Sequence, residues 1–110
     1  MRSERTDQAL LAEIRECTSL IQAYLDGRST AEFSNDLMCQ DATAFRLLMI
    51  GEAAHRLSDA IKARLPDVDW RGMISLRHRL AHDYPSTETL VLWTIATQDV
   101  PALAAALERL

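Results

Sequence analysis

The sequence predicts an all-α fold built from a few long helices, and three observations carry that expectation. Only three glycines and three prolines occur in 110 residues, too few for an all-β fold, which needs a turn every 8 to 12 residues or so. Alanine and leucine dominate the apolar set, and both are good helix formers. Apolar residues also recur at spacings of three and four over much of the chain, the period of one helix face. With 48% hydrophobic and 25% charged residues, the composition fits a single domain over residues 1–110. A domain of this size buries roughly 60 to 70% of the surface its unfolded chain exposes. Such a core is modest, and an interface with a second copy would add to it.

The first helix is expected from about Thr6 to Asp26, with Leu10, Ile14, Cys17, Ile21 and Leu25 as its buried stripe. Gly27 closes it by taking the left-handed conformation. Ser29 and Glu32 have capping-box spacing, which predicts a short helical turn around Phe33. Asn35 or Asp36 caps a second long helix running toward Leu65 through Leu47, Ile50, Ala54, Leu57 and Ile61, and Pro66 stops it. Its central piece is apolar on more than one face, so it is either the central helix or part of a dimer interface. Gly51 there costs about 1 kcal/mol relative to alanine, which is explained by close approach of another helix or by drift. Residues 66–70 read as a loop in which Asp69 caps a third helix, with Trp70, Met73, Ile74 and Leu80 apolar. Pro85 disfavours helical geometry at Tyr84, so this helix is expected to end near His82 or Asp83. Ser86 caps a fourth helix to about Thr97, and Asp99 caps a last one with Pro101 in its first turn.

The net charge of −4 excludes a globally cationic protein that coats nucleic acid. Residues 56–79 nevertheless carry six basic and three acidic residues, a local excess of positive charge. Arginine makes up eleven of the twelve basic residues, which suits phosphate contacts and also follows from a GC-rich genome. Cys17 and Cys39 have no metal or redox spacing and read as buried thiols. The N-terminus lacks the apolar stretch of a signal peptide, and no run approaches the ~18 apolar residues of a membrane span. A cytoplasmic location without membrane contact is the expectation.

Chemistry concentrates in Arg77-His78-Arg79-Leu80-Ala81-His82-Asp83-Tyr84. The plain reading is a solvated helix end rich in arginine and histidine. The functional reading is a phosphate-binding and proton-moving cluster. In an ideal helix Arg77 and His82 stand about 140° apart around the axis, so either the helix ends between them or two copies combine. If the chain straightens after His82, then His82 and Tyr84 fall on the same side and the phenol lies beside the imidazole. His78 and His82 share a helix face as zinc ligands can, but two ligands are too few. Neither a Gly-x-Ser-x-Gly elbow nor a phosphate-cradling glycine loop is present. Glu52, inside the most apolar stretch, needs a partner; it is either a surface charge or a group that orients an arginine of the third helix.

At these residues the sequence resembles the HepT-like branch of the HEPN superfamily, the toxin half of HEPN and minimal-nucleotidyltransferase pairs. The family signature Arg-x-x-x-x-His-x-Tyr is met by Arg77, His82 and Tyr84. The resemblance extends over the Phe33 element, Gln40-Asp41-Ala42, Ile50-Gly51-Glu52-Ala53, residues 66–70 and Asp99-Val100-Pro101. It implies an up-and-down bundle of four to five helices whose two copies line a shared cleft, and a cofactor-free, metal-independent endoribonuclease acting on RNA. Arg77 would stabilise phosphate charge and His82 would act as general base or acid toward a ribose 2′-hydroxyl. His78, Arg79 and Glu52 would bind or orient the substrate. A cognate nucleotidyltransferase antitoxin would silence the toxin by attaching AMP to Tyr84, whose position before Pro85 is expected to leave its hydroxyl reachable. The family usually has Asn after the Arg, where this chain has His78, an imidazole that donates a hydrogen bond but also ionises. The resemblance therefore also allows a catalytically silent module that binds nucleotide or RNA, or serves as the target of a nucleotidyltransferase. The homodimer is expected to bury the face around Leu47 to Ala54 or a flank of the third helix.

Overall fold

The computed structural model describes residues 2–84 and 87–110, and these form an all-α bundle without strands. Four helices build it: α1 (Arg2–Leu25), α3 (Leu37–Arg56), α5 (Trp70–Asp83) and α6 (Thr89–Leu107). Two short ones, α2 (Thr30–Ser34) and α4 (Asp59–Arg64), join them. The predicted stripe of α1 is the centre of the core: Leu10, Ile14, Cys17, Ile21 and Leu25 are all buried. Gly27, with φ of 72°, ends α1. The Ser29–Glu32 capping box forms in both directions, and Phe33 is fully buried against Trp93, with ring centroids 5.3 Å apart. Of the two candidate caps for α3, Asp36 serves, accepting from the Cys39 N–H at 3.0 Å. The Cys39 N–H, together with the Arg28 guanidinium at 2.7 Å, holds the Asp36 carboxyl below its usual range. Cys17 and Cys39 are buried free thiols.

Helix α3 is the central helix, packed on α1 along one side and on α5 along the other. Leu47, Ile50, Ala53 and Ala54 are therefore spent inside the chain, at most 4% exposed, and this face is not available to a second copy. The exposed arc of α3 carries Leu37, Met38 and Phe45 instead.

Two helices depart from expectation. The second helix does not run to Leu65: it stops at Arg56, Leu57 is extended, and α4 restarts at Asp59. The cause lies 51 residues away, where the buried Asp7 carboxylate accepts from the Ser58 N–H at 2.9 Å and the Ser58 hydroxyl at 2.6 Å. Ser58 in turn accepts from the Ile61 N–H. The fourth and fifth helices are one, because Asp99 has helical geometry and caps nothing. Pro101 has no N–H for the Thr97 carbonyl, and its ring crowds that carbonyl. The helix answers with a π turn over Ile95–Asp99, in which the Val100 N–H reaches the Ile95 carbonyl. The expected Ser86 cap lies outside the described residues; α6 begins at Thr89 with Glu88 before it. Its 19 residues are long and apolar enough to span a membrane by length and composition alone, a stretch that Asp99 and Pro101 disguise in the sequence. In the fold, Leu92, Ala96, Val100, Leu103, Ala106 and Leu107 are buried.

Replacing Asp7 with alanine strands the Ser58 donors at a buried corner. We expect Asp7→Ala to lower the unfolding free energy by about 1–3 kcal/mol, read as a fall in the urea midpoint at unchanged slope.

Candidate functional site

The site is built on α5 and on the way α3 receives it. Asp69 caps α5 by accepting from the Gly72 N–H at 2.9 Å, and Trp70 anchors the first turn by donating to the Leu65 and Lys62 carbonyls at 3.2 and 3.3 Å. Leu76 and Leu80 are buried against the core, while Met73 and Ile74 are half-buried. Opposite them lies Gly51 of α3. A Cβ there would collide with the Cβ of Arg77 and come within 2.8 Å of the Met73 carbonyl oxygen and 3.3 Å of the Arg77 Cα. Of the two readings of Gly51, close helix approach is the one the structure supports.

This approach lays Arg77 along the α3 surface, where its Nη1 donates to Glu52 Oε1 at 2.7 Å. The Glu52 carboxylate is about half exposed and Arg77 a quarter exposed. An ion pair this wet contributes at most about 1 kcal/mol to stability, so its consequence is orientation of the guanidinium. The Arg77 Nε is buried and has no partner among the described residues. A guanidinium has five N–H donors, and Glu52 engages one nitrogen, so Arg77 retains donors for an anion.

The remaining cluster divides between faces. Because α5 is continuous from Trp70 to Asp83, the helix does not end between Arg77 and His82, and the two side chains diverge by about 140°. His82 stands on the exposed side with His78, their ring centroids 4.6 Å apart and planes tilted by 59°. Among the described residues no third metal-ligating side chain completes a group with these two. Arg79 is not with them; it lines a groove of about 340 Å³ between α5 and α6, with Asp67, Asp69 and Asp99.

Tyr84 corrects a further expectation. The chain does not straighten after His82, since Tyr84 keeps right-handed helical geometry with φ of −51° and ψ of −47°. Its ring therefore turns from the imidazoles to the core side, and its hydroxyl donates to Asp41 Oδ1 of α3 in an exposed hydrogen bond. Desolvation, reinforced by the bond to Asp41 and the carboxylate's charge, pushes the phenol up to about 12. In the sequence Asp41 stands within the Gln40-Asp41-Ala42 stretch of the resemblance, with no contact assigned to it; its place on the same arc of α3 as Met38 and Phe45 is the further signal for it.

The HepT-like ribonuclease family matches residues 14–110. The chain belongs to that family. It is 31% identical over 101 residues to "Putative RNase MJ1380" of Methanocaldococcus jannaschii, covering 92% of this chain and 93% of the relative. It is also 30% identical over 107 residues to "Probable ribonuclease HepT" of Thermococcus cleftensis, covering 97% of both. A further relative, "Putative RNase MJ0127" of Methanocaldococcus jannaschii, is 32% identical over 94 residues, which is 86% of this chain and 78% of the relative. No solved structure matches the chain. The all-α bundle is the fold that membership in the HepT-like family leads one to expect.

The contact at Gly51 yields a stability test. Alanine gains about 1 kcal/mol of helix propensity over glycine, while forcing a methyl into a closed helix contact costs roughly 1–3 kcal/mol. We expect Gly51→Ala to lower the thermal midpoint by several degrees, and a rise would show that α5 does not lie this close to α3.

Proposed function

We propose that this HepT-like chain is a metal-independent endoribonuclease toxin, active as a homodimer and silenced by attachment of AMP to Tyr84. The observation that carries the reading is the separation of Arg77 and His82 on one unbroken helix, with Arg77 fixed by Glu52. One copy does not aim both groups at one phosphate. Two copies meeting near the α5 flank do, with Arg77 of one facing His82 of the other. The apolar stripe left open on α3, Met38 and Phe45 with the half-buried Leu48 and Met49, runs beside Glu52 and supplies the surface for that meeting.

In such a cleft His82 takes the proton of a ribose 2′-hydroxyl, and the 2′-oxygen attacks the adjacent phosphorus. The bond to the 5′-oxygen breaks and that oxygen takes up a proton from solvent, leaving a 2′,3′-cyclic phosphate and a 5′-hydroxyl. Arg77 stabilises the charge that builds on the phosphoryl oxygens, the kind of electrostatic help worth a hundredfold or more. His78 adds a hydrogen-bond donor beside His82 for a neighbouring phosphate, and Arg79, in the groove between α5 and α6, would orient a more distant part of the RNA. Regulation by a cognate nucleotidyltransferase antitoxin fits the position of the Tyr84 hydroxyl, at the surface and at the end of the same helix. Both proteins would then act in the cytoplasm, away from membranes. A second reading, a catalytically silent module that binds RNA or nucleotide, is favoured by His78 lying against His82 in a tilted ring contact where the family usually has Asn.

His82→Ala and Arg77→Ala are each expected to lower RNA cleavage at least a hundredfold with unchanged thermal midpoints, and EDTA to leave wild-type cleavage intact. Undiminished cleavage by either variant removes that residue from the site, and inhibition by EDTA restores the metal reading. Absence of cleavage by the wild-type chain selects the silent module.

Mixing the two inactive variants tests the shared cleft. Random re-pairing makes half the dimers mixed, each with one intact cleft, so about a quarter of wild-type activity returns. No recovery, or a ~12 kDa species alone in sedimentation at micromolar concentration, counts against the dimer.

A further inference from the structure

We propose that Asp41 is the positioning residue for the last turn of α5: its carboxylate ties the Tyr84 hydroxyl to α3, and nucleotide attachment at that hydroxyl turns the tie into a repulsion that frees the turn carrying His82. The second half rests on the reading of Tyr84 as the modified residue; the first half does not.

Helix α5 packs chiefly on α3. Among the described residues, the side-chain hydrogen bonds between the two are Arg77 to Glu52 and Tyr84 to Asp41. They sit two turns apart on α5, one in its middle and one at its end. The other bonds at that end among the described residues are local: the Thr87 N–H to the Tyr84 carbonyl at 2.8 Å and the Thr87 hydroxyl to the Asp83 carbonyl at 3.3 Å. They shape the turn without fastening it to α3. His82 is exposed, and among the described residues no side-chain hydrogen bond ties it to α3. Its position follows that of the backbone around it, which Tyr84 fastens.

The bond depends on one proton. With its pKa near 12, the phenol stays protonated and donating at physiological pH. Asp41 forms no ion pair among the described residues, so Tyr84 is its partner. When the phenol oxygen attacks the α-phosphorus of a nucleoside triphosphate on a partner enzyme, an O–P bond forms, the bond to the bridging oxygen breaks and pyrophosphate leaves. The phenol's proton goes to solvent or to a base. The resulting aryl phosphodiester has no O–H and carries one negative charge. Two anions then face each other where a donor faced an acceptor, and like charges at this range repel. Modification therefore does more than cover the cleft: it also removes the restraint that places His82.

The test is amide hydrogen exchange across residues 80–84, followed by mass spectrometry, in the wild type, Asp41→Ala, Tyr84→Phe and the double variant. Steady-state RNA cleavage is measured in parallel. The bond is exposed, so the expected effect is modest: each single variant exchanges about three- to tenfold faster at the end of α5, with α1 unchanged. Each single variant also loses kcat by a similar factor at constant KM. The double variant matches the singles, because both remove the same bond. Asp41→Asn, whose carbonyl still accepts from the phenol, restores wild-type exchange. Wild-type exchange in both singles, or additive effects in the double, overturns the positioning role. In a second arm the wild type and Asp41→Asn are incubated with the cognate nucleotidyltransferase and ATP. Modified wild type is expected to exchange faster than Tyr84→Phe, and modified Asp41→Asn less so. If no AMP is added to wild-type Tyr84, the modification reading fails and the mutant arm still decides on Asp41. If AMP is added and exchange at 80–84 does not rise, the switch fails while the modification reading stands.

Discussion

The close approach of α5 to α3 at Gly51 is the constraint on which the rest of the site depends. A hydrogen in place of a Cβ lets the Met73 carbonyl and the Cβ of Arg77 lie directly on the α3 backbone, and any larger side chain would push the two helices apart. Contact at this point sets the rotation of α5 about its own axis. Arg77 must then lie along α3, where the next residue, Glu52, meets its guanidinium. Leu76 and Leu80 must face the core, and His78 and His82 must face away from it. The divergence belongs to the helix itself; the glycine decides which face of it, the Arg77 one, lies on α3.

That distribution creates an incompleteness. The interior of α3 is consumed by α1 and α5, so among the described residues no second element comes opposite His82, and Arg79 lines the groove between α5 and α6. What stays open is an apolar stripe beside Glu52 and an imidazole pair on an uncovered face. Two acidic residues of α3 govern how α5 is presented: Glu52 orients the arginine in its middle, and Asp41 holds the tyrosine at its end. Neither bond is strong, because both are exposed. Their effect is on geometry: each fixes where a side chain of α5 lies while adding little to the stability of the fold.

Sequence alone determined the parts that depend on residues three and four apart. The α1 stripe, the Ser29–Glu32 box, the Asp69 cap, a cap at Asn35 or Asp36 and the left-handed Gly27 are local interactions, so their spacing along the chain is already their geometry. The cluster Arg77 to Tyr84 was legible for the same reason, as was the 140° divergence of Arg77 and His82, which is a property of any α-helix. Only the tertiary structure decided where the second helix breaks, because the carboxylate that captures Ser58 comes from Asp7 at the other end of the chain. It decided that α6 passes Asp99 without a cap, since burial of both halves against the bundle outweighs the proline and settles for a π turn. It also decided which way Tyr84 faces, through Asp41 on a helix more than forty residues earlier. Such contacts leave no period in the sequence, because their partners meet only after the helices have packed.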